Sequence, residues 1–239
     1  MNVRYGQKAA MGLQTPAWLV VGFALLLSAI ATEAQGTFQN LNFEQARVSP
    51  TPVNGSGGDV DPALAFPGWT ESVVWRGTNT YALFTFYNNQ AIDSPAVVLI
   101  GPAFPNAMGL ASLQGSYSVA LQYSAFWNAF PVLSQTGLVP ADARSVSLLV
   151  PSGSVWWQWP RMALGGVDIS LVPVADGRLA GDVSAFAGTI ANLSLTPGSY
   201  FSYFDDVRFS NLPVPEPRVF GLSALGALVL VWRVRRRWR

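Results

Sequence analysis

Glycine, proline, serine and asparagine punctuate this chain at roughly ten-residue intervals from Gly36 to Ser210, and short runs of alternating apolar and polar side chains stand between them. That spacing leaves no room for helices of ordinary length, which need an apolar period near 3.6 sustained over about a dozen residues. On a strand, successive side chains take opposite faces, so Tyr117, Val119, Leu121 and Tyr123 fall on one side and Ser118, Ala120 and Gln122 on the other. Val146, Leu148 and Val150 repeat the pattern, as do Val167, Ile169 and Leu171, then Ala191, Leu193 and Leu195. Phe201, Tyr203, Val207 and Phe209 read as one face of a last strand, and Ala96 to Ile100, apolar throughout, predicts a strand covered on both faces. Phe84 to Asn89 reads as a strand and turn with an aromatic face. The fold class is all-β, a sandwich with one short helix over Val183 to Phe186 whose N-cap is Asp182. Residues 51–68, rich in Gly, Pro and Asp, read as a long loop.

Chemistry is limited by what the chain lacks. It contains no cysteine, so no disulfide supports the sandwich, and no histidine, which removes Ser-His-Asp and Cys-His nucleophile systems and every histidine-containing zinc or iron site. The formal charge of +1 belongs to the ends of the chain. Between Gly36 and Ser210, six arginines face eleven Asp and Glu residues, a net charge of minus five that excludes the basic surface of a nucleic-acid binder.

The two ends read as targeting segments. Arg4 and Lys8 precede an apolar run from Ala17 to Ile30 followed by Ala29, Ala31 and Ala34, the layout of a secretory signal peptide cleaved after Ala31 or Ala34; a single membrane anchor is the alternative. At the other end Pro213, Pro215 and Pro217 hold an extended linker, and Val219 to Trp232 is apolar apart from one serine. As a helix that stretch would extend about 21 Å, short of a hydrocarbon core of roughly 30 Å. Arg233 and Arg235 would snorkel to the headgroups, with Trp232 and Trp238 at the interface and the arginines on the cytoplasmic side. Val214, Pro215, Glu216 and Pro217, then this apolar run, then Arg233, Arg235, Arg236 and Arg237 resemble the PEP-CTERM sorting signal of exopolysaccharide-producing Gram-negative bacteria. The resemblance implies transient holding in the inner membrane and processing by an exosortase. A plain tail anchor is the alternative.

The body carries a second resemblance. "FQNLNFE" at Phe38 to Glu44, "PGWT" at Pro67 to Thr70 and "YFDDVRFS" at Tyr203 to Ser210 look like the first strand, an early Gly-Trp turn and the last strand of galactose-binding-like jelly rolls, the fold of many carbohydrate-binding modules. The resemblance implies that first and last strands lie side by side. It also implies a structural calcium there, held by Glu44 and Asp205 with Asn42 or Asp206. For Asp205, which shares the phase of Tyr203 and Val207 and so points inward, pairing with an arginine or acceptance of backbone N–H bonds is the alternative. Adjacent on a strand, Asp205 and Asp206 point to opposite faces and form no ready catalytic pair. In "SVWWQWP", Trp156, Trp157 and Trp159 crowd together. Trp157 and Trp159 share one strand face and Trp156 takes the other, which leaves two readings: hairpin or core packing, and a flat platform for sugar rings. Trp69 and Trp75 are expected in the core.

The chain therefore divides into a signal peptide (1–34), a jelly-roll β-sandwich (35–212) and a sorting signal with a transmembrane helix (213–239). The expected role is that of an exported, non-enzymatic glycan-binding protein of the envelope or extracellular matrix. A matrix protein without a small ligand and a divergent glycan-active enzyme are the alternatives, with exosortase, the inner membrane and an exopolysaccharide as expected partners.

Overall fold

The computed structural model describes residues 36–48, 59–76, 83–89, 94–102, 111–151 and 159–214. The expected signal peptide, the sorting motif beyond Val214, and Trp156 and Trp157 lie outside them. Among the described residues a one-turn helix, α1 (Pro62–Ala65), precedes twelve strands: β1 (Thr70–Trp75), β2 (Phe84–Tyr87), β3 (Ala96–Ile100), β4 (Ser118–Gln122), β5 (Ala129–Leu138), β6 (Ser145–Leu149), β7 (Arg161–Leu164), β8 (Val167–Ile169), β9 (Val172–Pro173), β10 (Arg178–Asp182), β11 (Ile190–Thr196) and β12 (Phe201–Ser210). They form a five-stranded sheet in the order β1-β5-β11-β7-β8 and a seven-stranded sheet in the order β2-β3-β4-β12-β6-β10-β9. All pairings are antiparallel except β2 with β3. The fold is a β-sandwich with very little helix.

One apolar core fills the space between the sheets. Leu133, Met162, Leu164, Leu193 and Leu195 enter it from the first sheet, and Val97, Leu99, Val119, Leu121, Val146, Leu148 and Phe204 from the second. Val119, Leu121, Val146, Leu148, Leu193 and Leu195 among them are alternate positions that the sequence pattern selects. On the other face of the second sheet, Ala96, Val98, Ile100, Ala120 and Tyr203 form a separate buried cluster with Phe84 and Phe86 against it. That is why β3 is apolar at every position: both of its faces are buried. The rings of Phe84 and Phe86 stack 5.6 Å apart, the expected aromatic face of that strand.

Strand β12 departs from the simple alternation. Tyr203 belongs to the outer cluster, with Phe201 packed against it, whereas Phe204, Val207 and Phe209 enter the inter-sheet core. A register shift between Asp205 and Arg208 causes this. Asp206 there takes the left-handed conformation, φ +49°. One extra residue in a bulge reverses the facing of everything after it. Asp205 consequently points to the outer side with Tyr203, not into the inter-sheet core with Val207.

The stretch from Gly36 to Val48, expected to begin with a strand, is an irregular strap. Asn40 (φ +49°) and Phe43 (φ +59°) turn the chain through left-handed conformations that no strand accommodates. The strap nevertheless lies where a first strand was expected, beside β12: Val207 N–H donates to Leu41 O at 2.9 Å. It is tied to the opposite sheet as well, since Thr37 N–H donates to Leu138 O at 3.2 Å and the Gln135 side-chain amide donates to Gln39 O at 2.9 Å. Phe38, Leu41 and Phe43 bury themselves between these anchors. "PGWT" is a turn: Gly68 adopts φ +86°, and the buried Trp69 donates its indole N–H to Asn40 O at 3.0 Å. Trp75 is only half-buried.

Two local expectations need correction. The predicted helix near 183–186 is a single 3-10 turn, Ser184–Phe186, with the Asp182 carboxylate accepting from Ser184 N–H at 2.8 Å. Those bonds hold the Asp182 carboxyl below its ordinary range. The loop expected over residues 51–68 contains α1, started by Asp61, whose carboxylate accepts from Ala63 N–H, and by Pro62 in the first turn. Asp followed by Pro is a helix-start signal that the Gly- and Pro-rich surroundings obscured.

Candidate functional site

Two regions gather chemistry-bearing side chains. The first is the bulge, where the resemblance placed a calcium. Asp205 is buried, and its carboxylate accepts from Ser118 Oγ at 2.9 Å, Gln114 N at 3.1 Å and Asp206 N at 2.6 Å. Burial pushes this carboxyl up to about 7 even though the Ser118, Gln114 and Asp206 donors pull the other way. Asp206, expected on the opposite face, stays on the same outer side because of the bulge and meets Arg178 at 2.8 Å and Arg208 at 2.6 Å, whose pairings put them on that face. Glu44, on the strap, accepts from Ser116 N at 2.9 Å and Tyr117 N at 3.0 Å. Gly115, at φ +60°, passes so close to that carboxylate that a Cβ would lie 2.4 Å from Oε1. Asn42 is exposed.

The four residues therefore share a neighbourhood without sharing a centre. Glu44 and Asp205 grip the segment before β4 from the two ends of the domain, and Asp206 is neutralised by arginines. Calcium needs six to eight oxygens converging on one point. Here both Asp205 oxygens, Oε1 of Glu44 and Oδ2 of Asp206 are engaged by N–H, O–H and guanidinium donors, and no group of three or more acidic residues among the described ones is arranged to hold a metal. The donor set does not fit the ion. The local task is structural, closing the domain where a disulfide is unavailable.

A second carboxyl with a displaced proton affinity is Glu71 of β1, which points inward and accepts from Thr85 Oγ1 at 2.6 Å. Its other oxygen is buried without a partner, and burial pushes the group from 4.5 to about 7. Between roughly pH 4.5 and pH 7 the unfolded chain has released protons that folded Glu71 and Asp205 retain, so stability is greatest at the acidic end and falls as pH rises through 7. The chemical-denaturation midpoint is expected to be higher near pH 5 than near pH 8. Glu71→Gln, which keeps a group able to bond Thr85 but cannot ionise, is expected to flatten part of that slope.

The second region lies on the solvent side of the five-stranded sheet. A single row crosses all five strands through Thr70, Ser134, Ser194, Ala163 and Asp168, aligned by successive pairings. Small side chains make that face shallow and rich in hydroxyls. At one end it drops into two adjoining clefts of about 640 Å³ and about 270 Å³ that share Arg161 and Gly198. Trp159, 50% exposed, stands at the mouth of the larger, just before β7 begins. Tyr200, 65% exposed, stands at the smaller, its ring meeting that of Tyr123 edge-to-face at 5.6 Å. Arg76 follows β1 with its guanidinium 5.1 Å from the centre of the Phe130 ring. Arg161, opposite Thr196 in the ladder, pairs with Asp168 at 2.6 Å. That ion pair is exposed on both sides and contributes little to stability.

Of the three tryptophans singled out in the sequence, Trp159 is thus placed at a cleft. Trp156 and Trp157 lie outside the described residues. The sequence singles out none of Arg76, Arg161, Tyr123 and Tyr200 as site residues, because strand pairing between distant segments brings them together. The available signal was faint: an arginine on the outward phase of a strand, as with Arg161 before Met162.

No family model matches this chain. No curated protein matches it either. Among solved structures, the carbohydrate-binding module TmCBM61, in complex with beta-1,4-galactotriose, is similar at a TM-score of 0.34 and 15% identity, over 74% of this chain and 98% of that one.

Proposed function

We propose that this protein binds a glycan, without catalysis, in the paired clefts at the end of the five-stranded sheet. The observation that carries the reading is the pair of exposed rings, Trp159 and Tyr200, set beside a shallow row of hydroxyls and flanked by Arg161. An aromatic face suits the apolar face of a sugar ring, and here two such rings line adjoining clefts. Asp168 is the one carboxylate among the described residues lining either cleft, and it is committed to Arg161. Glycoside hydrolysis ordinarily uses two carboxyl groups across the scissile bond. Glu71 and Asp205, the carboxyls whose proton affinity is raised, line neither cleft.

The test is a glycan array probed with the full chain in detergent, alongside Trp159→Ala and Tyr200→Ala. Binding to at least one class of saccharide is expected, with each substitution weakening it about tenfold, or about 1.4 kcal/mol. If the parent binds no sugar, the role is that of a matrix protein without a small ligand.

The jelly-roll assignment and the sorting route belong to the same proposal. The body ends at the surface with Leu212 and Pro213 exposed, leading into Val214 and the Pro-Glu-Pro motif. No helix among the described residues is long and apolar enough to cross a membrane. The segments read as signal peptide and sorting helix lie outside those residues. A chain ending after Leu212 is expected to miss its destination in the native host, as read by fractionating membrane, surface and medium. Normal delivery of that form would remove the sorting proposal and leave the glycan reading intact.

A further inference from the structure

We infer that the glycan recognised at this site is an acidic polysaccharide, carrying carboxylate-bearing sugars, and that Arg76 and Arg161 read its charge. The inference rests on the glycan reading and narrows it. In a body with a net charge of minus five, two of the six arginines converge on the smaller cleft, whose lining among the described residues contains no carboxylate. Arg178 and Arg208 share the Asp206 carboxylate and line neither cleft, whereas Arg76 and Arg161 face the smaller cleft with Asp168 as the acidic partner of Arg161.

The two arginines arrive from different strands. Arg76 extends the outward phase of β1, beside Phe130 on β5, and Arg161 opens β7 opposite Thr196 on β11. Three strand intervals separate β1 from β7 in this sheet. Arg161 is level with Ser72, four residues from Arg76, so at the usual spacings their backbones are roughly 20 Å apart, with long side chains reaching into the cleft between them. This span suits an oligosaccharide with repeated charges better than a single sugar. Arg76 lies over the face of Phe130, a cation–π contact that restrains where the guanidinium sits. Arg161 spends part of its fork on Asp168 in an exposed pair, which a ligand carboxylate can replace at small cost. A guanidinium offers five donors in a planar fork matched to a carboxylate. Between them Tyr200 supplies a stacking face and Thr196 and Ser199 supply hydroxyls for a neutral part of the ring.

The experiment measures binding of the full chain in detergent to polygalacturonate, to the same polymer after chemical reduction of its carboxyl groups, and to dextran sulfate. Polygalacturonate is expected to bind at least tenfold more tightly than its reduced form, and to weaken several-fold as salt rises from about 50 mM to about 500 mM. Arg76→Gln and Arg161→Gln should each remove most of that preference while leaving the melting temperature unchanged, because Arg161 is 61% exposed and Arg76 lies at the surface. Arg47→Gln, on the exposed part of the strap, should leave it intact. Equal binding of native and reduced polymer would overturn the inference while the glycan reading stands. Equal binding of dextran sulfate, or an equal loss in Arg47→Gln, would also overturn it, by showing attraction to charge alone. Binding to none of the three polymers overturns it as well, and the array of neutral sugars then decides the broader reading by itself.

Discussion

Replacing Asp206 with alanine is expected to destabilise the fold by about 3–5 kcal/mol, the usual cost of removing one partner from a buried ion pair. Asp206 is 6% exposed and Arg178 15%, so water cannot take over for the lost carboxylate. Arg178 also donates to the Asp206 carbonyl and, through Nε, to Ser147 Oγ at 3.1 Å, which holds the guanidinium in place after its counter-ion has gone. Alanine is further penalised at φ +49°, a conformation that costs a side chain without a local polar partner roughly 1–2 kcal/mol. Asp206→Asn tolerates that backbone better and should lose less. Urea denaturation with a fixed slope reads both values. A loss below about 1 kcal/mol for Asp206→Ala would show that the two arginines are solvated and that the bulge is held by its backbone alone.

The second large effect is expected at Phe43. This ring is fully buried, stacked on Trp69 at 5.5 Å and edge-on to Phe66 at 6.4 Å and Phe204 at 6.0 Å. Phe43→Ala should therefore cost about 3–5 kcal/mol, the transfer loss plus the cavity left behind. The left-handed backbone offers no relief, since alanine bears the same penalty at φ +59°. Because Phe43 anchors the strap, the substitution should also accelerate hydrogen exchange at Val207 N–H, which donates to Leu41 O, before it affects amides in β5 and β11. Uniform acceleration throughout the domain would mean that the strap and the sandwich open together.

The sequence disclosed most of the strands because burial on one face or two leaves a direct imprint. Alternation marks Leu193 and Leu195, and an unbroken apolar run marks Ala96 to Ile100. It misled at Phe201 to Phe209 because alternation presumes a regular ladder, and nothing in "YFDDVRFS" distinguishes a bulge at Asp206 from a continuous strand. The strap was misread for a related reason: apolar residues at Phe38, Leu41 and Phe43 are buried through turns, not through a pleat. The clefts were hidden more thoroughly. Trp159 is conspicuous in a cluster of tryptophans, but Arg76, Tyr123 and Tyr200 become neighbours only through the pairing of β1 with β5 and the approach of β12 to β4. Non-local pairing writes no signature on any single segment. The acidic residues Glu44 and Asp205 both accept from the segment between Gln114 and Ser118, donors from the middle of the chain that no motif at its ends discloses.

The hydrogen bond between Leu41 and Val207 joins the beginning of the body to its last strand, giving the domain a high contact order. A chain threaded through a membrane with its N-terminal end leading would carry the strap out first and leave it without its counterpart until nearly everything else had followed. Closure would then be among the latest events of biogenesis, and the polypeptide would stay pliable for as long as it was still being moved.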